Sequence, residues 1–180
     1  MNAAEDPRAL RIKAFAQANA ALQGSTPLAQ LERLLADCVG EVQAPVQWAA
    51  QGFTREVTAG PAQLWLHLQA SAQVPLLCQR CLHPVQTQLT VDRDFRFVAD
   101  EAAALAEDDD VEEDLLVLSS EFDLLALLED ELLMALPLLP MHDTCESEHL
   151  PTSNADDATA ALEKPNPFAA LASLKRKSGD

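Results

Sequence analysis

Between Val42 and Val98 apolar residues recur at every second position in three separate runs, a rhythm that few folds can accommodate. "VQAPVQW" places Val42, Ala44, Val46 and Trp48 on one face. "QLWLHLQASAQV" places Leu64, Leu66, Leu68, Ala70, Ala72 and Val74 on one face and Trp65, His67, Gln69, Ser71 and Gln73 on the other. "VQTQLTVDRDFRFV" gathers Val85, Thr87, Leu89, Val91, Phe95 and Phe97, with Arg93 interrupting the series. Successive side chains of a strand point to opposite faces, so period two means extended chain with one apolar side. Three such strands joined by turns read as an antiparallel meander, apolar inside and polar outside. His67 falls on the wet face and reads as a surface histidine.

An apolar sheet face has to be covered, and helical signals flank the strands. "STPLAQLERLLADCVG" reads as one helix, with Thr26 as N-cap, Pro27 first, Leu28, Leu31, Leu34 and Leu35 on a stripe, and Gly40 as the stop. Cys38 falls on that stripe and reads as a small buried apolar residue. "RALRIKAFAQANAAL" carries a weaker stripe. "LLVLS" is a short strand candidate. "SSEFDLLALLEDELLMALP" reads as a helix capped by Ser120, with Leu124, Leu125, Leu128, Leu132 and Leu136 apolar and Pro137 at its end. Its acids, Glu129 to Glu131, are consecutive and fan around the helix, so they read as a solvated face. The tail "PNPFAALASLKRK" offers Asn166 as a cap, Pro167 first, and Phe168, Leu171 and Leu174 on one apolar face. The expected organisation is one α+β domain over residues 1–150, a flexible acidic linker over 151–164 and a helical docking tail over 165–180. Its core is a small antiparallel meander packed with helices, followed by an acidic loop.

The net charge of −17 is unevenly placed. Residues 1–99 hold eight acidic and eight basic side chains, whereas residues 100–163 hold twenty acids and no Lys or Arg. A uniformly acidic chain would repel nucleic acid. A segregated one leaves two routes open: RNA on its neutral part, through Arg80, Arg93 and Arg96 around one hairpin, or a basic protein on its acidic part. Lys175, Arg176 and Lys177 end the tail, where they complement a helix dipole and can meet phosphate. The start of the chain has no apolar signal segment, and no run is long enough for a membrane helix. A soluble cytoplasmic protein is expected, its four cysteines thiols or metal ligands.

"LCQRCLHP" at residues 77–84 carries the chemistry. Haem attachment wants His directly after the second cysteine, and Leu82 intervenes. A thioredoxin-like centre wants a helix there, and an alternating strand follows instead. A hairpin tip with two thiols remains, which is half of a tetrahedral zinc site or a plain thiol-bearing turn. "HDTC", with His142 and Cys145 at the same spacing, supplies the other half, and His149 is an alternative to His142. If zinc bridges the pairs, the Cys78 and Cys145 sulfurs should lie within about 4 Å, given Zn–S bonds near 2.3 Å. No nucleophile–base arrangement and no open metal position is implied, so an enzyme is not expected.

The order "VPLLCQRCLHPV", "FDLLALLEDELLMALPLLPMHDTC" and terminal "NPFAALASLK" resembles the YceD family, the large ribosomal RNA subunit accumulation proteins of bacteria. The resemblance implies a non-enzymatic role in the synthesis, processing or stability of large-subunit (23S) ribosomal RNA, with that RNA or ribosomal proteins as partners and no small-molecule substrate. By resemblance the motif positions are Cys78, Arg80, Cys81, His142 and Cys145. Candidate contacts to RNA or a partner are Arg80, Arg93, Arg96, Phe168, Leu171 and Lys175. The alternative from the residues is a zinc-knuckle module that binds RNA or serves transcription, which would want a Lys/Arg stripe.

Overall fold

The computed structural model describes residues 6–41, 44–58, 60–108 and 111–145. Five strands form one sheet in chain order: β1 (Ala21–Thr26), β2 (Val46–Arg55), β3 (Gln63–Leu77), β4 (Pro84–Val98) and β5 (Asp114–Val117). The first four are antiparallel, as the alternation requires. β5 lies parallel to β4, a connection made through α3 (Glu101–Glu107). Residues 101–107 of the acidic stretch thus form a short helix, where a solvated loop or frayed helix was expected. Asp100 caps it by accepting the Ala103 amide at 2.9 Å.

The apolar face of β2–β4 is buried under α1 (Ile12–Gln17), α2 (Glu32–Ala36) and α4 (Leu124–Met134). Leu66, Leu68 and Val74 of β3 pack in one core with Phe15 of α1, Leu34 of α2 and Leu124, Leu128 and Leu132 of α4, all essentially inaccessible. Gly52 in β2 is what lets α1 lie so close. A Cβ there would sit 2.6 Å from the Phe15 ring and 2.8 Å from the Ala16 Cα.

Three expectations are corrected. Residues 25–40 are not one helix: Thr26 ends β1, where its hydroxyl accepts the Trp48 indole N–H at 2.9 Å, and a 3-10 turn (Leu28–Gln30) precedes α2. Pairing with β2 competes successfully for Thr26, although Leu28, Leu31 and Leu34 remain buried as the stripe implied. The α4 cap is Asp123, which accepts the Ala126 amide at 2.9 Å, and not Ser120. Glu129 and Glu131 are not solvated; they are 8% and 5% exposed. One Glu129 oxygen accepts the backbone amides of Arg33 (2.7 Å) and Leu34 (3.3 Å), satisfying donors at the start of α2, and the other accepts Arg33 Nε at 3.0 Å. Glu131 lies 3.7 Å from Arg93, and burial raises its carboxyl above the usual range despite that arginine.

Arg93, the interruption in the β4 pattern, is exposed and meets Glu131 of α4 and Asp114 of β5. Among the described residues no helix is long and apolar enough to cross a membrane.

Glu129→Ala orphans two backbone donors and one guanidinium, and is expected to cost about 2–3 kcal/mol in urea unfolding. Asp130→Ala, which removes the exposed partner of the same arginine, should cost under about 1 kcal/mol. Equal losses would show that Glu129 is not the tie between α2 and α4.

Candidate metal centre

The centre begins where the β3–β4 ladder ends. After the last pair, Leu77↔Pro84, the Cys78 amide donates to the His83 carbonyl and the Leu82 amide donates to the Cys78 carbonyl, each at 2.9 Å. These bonds close a tight knuckle, and Leu82 completes it in the left-handed region at φ 60°. A branched residue is uncommon there. Two residues between the cysteines bring Cys78, which is inaccessible, and Cys81, which is half-buried, to the same side.

The chain after α4 returns across this knuckle. The Pro140 carbonyl accepts the Gln79 amide at 2.9 Å, so His142 and Cys145 arrive opposite the two thiols. Cys78 Sγ lies 3.6 Å from Cys145 Sγ, Cys81 Sγ lies 3.3 Å from His142 Nδ1, and Cys145 Sγ lies 4.0 Å from that nitrogen. All four donor atoms fall within 4.8 Å of one another. A tetrahedral zinc ion with Zn–S near 2.3 Å and Zn–N near 2.0–2.1 Å has S···S edges of about 3.8 Å and S···N edges of about 3.6 Å. These three separations lie close to those edges. Donor chemistry fits as well: three sulfurs and an imidazole are the ligand type that zinc favours.

The surrounding bonds orient the ligands. His142 Nε2 lies 3.1 Å from the Pro84 carbonyl, and a proton on Nε2 leaves Nδ1 bare for a metal. Arg80 Nε donates to Cys145 Sγ at 2.9 Å, and its Nη2 donates to the carbonyl of His142 at 2.9 Å. The guanidinium pKa is raised chiefly by its bond to Cys145. Burial opposes ionisation of Cys78, but the backbone N–H groups of Cys81, His142 and Arg80 converge on its sulfur and bring it down to about 5. Cys81 ends raised: the His83 amide pulls its thiol down, but burial and its bonds to Cys78 and Cys145 outweigh that pull.

The two cysteine motifs therefore meet, at the separation expected from zinc. Arg80 joins them as a ligand-orienting group. Arg93 and Arg96 stand elsewhere: Arg93 is paired as above, and the Arg96 side chain, 6% exposed, is held by Glu107 at 2.7 Å and Glu113 at 3.0 Å. His67 is half-buried on the outer sheet face, its Nδ1 2.8 Å from Asp94. Cys38 is half-buried, its Sγ 3.3 Å from the Leu34 carbonyl, and burial pushes its thiol up. His149, Phe168, Leu171, Leu174, Lys175, Arg176 and Lys177 lie outside the described residues. The carbonyls of Pro84 and Pro140, which hold the two halves together, carry no side-chain signal that a sequence could show.

A family model described as large ribosomal RNA subunit accumulation protein YceD matches residues 66–175. A Haemophilus influenzae protein named large ribosomal RNA subunit accumulation protein YceD is 33% identical over 160 residues, covering 82% of this chain and 83% of the relative. No solved structure matches.

The Cys78 pKa sets a pH dependence for the metal-free chain. A thiol lowered from 9.0 to about 5 stabilises the fold in full above pH 9, and that contribution is lost as pH falls towards 5. In the presence of chelator, the stability gap between wild type and Cys78→Ser should therefore be wider at pH 8 than at pH 5. A gap independent of pH would show that the amides do not hold a thiolate.

Proposed function

The chain belongs to the YceD family of large ribosomal RNA subunit accumulation proteins, and on that premise we propose that it is a zinc-bearing, non-enzymatic factor assisting the synthesis, processing or stability of 23S ribosomal RNA. The observation that carries this reading is the set of four protein donors around one point. A four-ligand set leaves no coordination position for substrate or water, which is the pattern of structural zinc. On this reading the ion fastens the β3–β4 knuckle to the segment after α4. A cytoplasmic setting suits it, because free thiols persist there. Arg93 and Arg96 spend their charge on carboxylates. The proposed contacts to a partner are therefore Arg80 beside the centre and, across an acidic linker (151–164), Phe168, Leu171 and Lys175 of a helical tail (165–180).

Protein purified from cells should carry one zinc per chain by elemental analysis, and Cys81→Ser or His142→Ala should lose most of it. In a bacterial strain lacking the protein, wild type should restore 23S relative to 16S ribosomal RNA, and Cys81→Ser should not. Full restoration by a zinc-free variant would reject the role of the metal. An unchanged RNA ratio in the strain without the protein would reject the function.

A further inference from the structure

Among the described residues, the two segments that form the centre carry large apolar side chains that are exposed. Leu82, at the knuckle tip, is 66% exposed. Leu138, Leu139 and Met141, on the returning segment, are 98%, 64% and 50% exposed. The two segments are bonded to each other through Gln79 and Pro140 and through Cys81 and His142, so these four residues belong to one end of the domain. Folded domains seldom leave several large apolar side chains together in water unless something binds them. The core of a protein interface has this character, rich in Met and Leu-sized groups and poor in charge.

The electrostatics identify the partner. Residues 6–145 carry 22 acidic and eight basic side chains. Among the described residues, Arg8, Arg33, Arg55, Arg93 and Arg96 each lie against a carboxylate. Arg80 is bound to a sulfur and backbone carbonyls. Phosphate binding draws on Lys and Arg, and among the described residues six of the eight basic side chains are engaged in these ways, with exposed Arg11 and Lys13 at α1 the exceptions. An acidic body with an apolar shelf fits a cationic polypeptide that presents apolar anchors, and its charge steers such a partner in.

We infer that the shelf of Leu82, Leu138, Leu139 and Met141 is a docking site for a basic protein segment, and that the chain reaches the large subunit through protein and not through bare RNA. The inference rests on the YceD-family function for the set of proteins in which to look. Leu82 also gives it an unusual handle: at φ 60°, asparagine is better tolerated than leucine. A leucine standing there against backbone preference points to a use for its side chain.

The full-length zinc-loaded chain is titrated by fluorescence anisotropy with individually purified large-subunit ribosomal proteins and, separately, with protein-free 23S RNA. At least one basic ribosomal protein should bind, more weakly as salt rises. The Leu138→Ser, Leu139→Ser, Met141→Ser triple variant should bind at least tenfold more weakly with zinc content and Tm unchanged. Should that variant misfold, Leu82→Asn serves instead, and it should lose affinity while keeping or raising Tm. Binding of RNA alone, absence of any protein partner, or variants that bind as wild type does would overturn the docking site. So would loss of binding on deletion of residues 165–180 while the triple variant of the full-length chain binds as wild type does, which would place the anchor in the tail. Triple-variant chains that fully restore 23S RNA would remove the shelf and leave the function standing. Docking without any effect on 23S RNA would do the reverse.

Discussion

The ladder between β3 and β4 runs through fourteen residue pairs, from Leu64↔Phe97 to Leu77↔Pro84, and both ends of the molecule take their positions from it. Because side chains alternate strictly along a strand, one register puts Leu66, Leu68, Val74, Leu89 and Phe95 into the core together. That same register brings the strand ends opposite each other at Leu77 and Pro84, leaving six residues to turn the chain. A slip of one residue would invert the buried face and open the knuckle. Core packing therefore holds the geometry of Cys78 and Cys81 in place at a distance.

Arginine use is the second organising fact. Arg33 joins α2 to α4 through Glu129, Arg93 joins β4 to α4 and β5 through Glu131 and Asp114, and Arg96 joins β4 to the acidic crossover through Glu107 and Glu113. Each spends a cation on internal architecture. Five carboxylates of the acid-rich stretch are thus structural, and the unpaired remainder gives a net negative surface. Such a surface favours contact with a basic protein over contact with a phosphate backbone.

Much of this was legible in local pattern. Alternation gave three of the strands, the apolar stripe gave α4, and matched two-residue gaps linked Cys78 and Cys81 to His142 and Cys145. The errors share a cause. Thr26 has the chemistry of an N-cap and also of a strand end, and pairing with Val46 and Trp48 of β2 decides between them. Glu129 to Glu131 have the look of a solvated run, but whether a carboxylate is buried depends on what lies across from it, here Arg33, some 96 residues away.

The sequence alone determined the strand periodicity and the identities of the four candidate donors that converge, because both are written in residue type and short spacing. Tertiary structure alone decided that four donor atoms converge within 4.8 Å of one another, that three arginines meet carboxylates of other elements, and that Leu82, Leu138, Leu139 and Met141 are exposed on two segments bonded to each other. The physical reason is range. Alternation acts between neighbours, while ligand geometry, ion pairing and exposure are fixed by segments that lie from about ten to about a hundred residues apart in the chain.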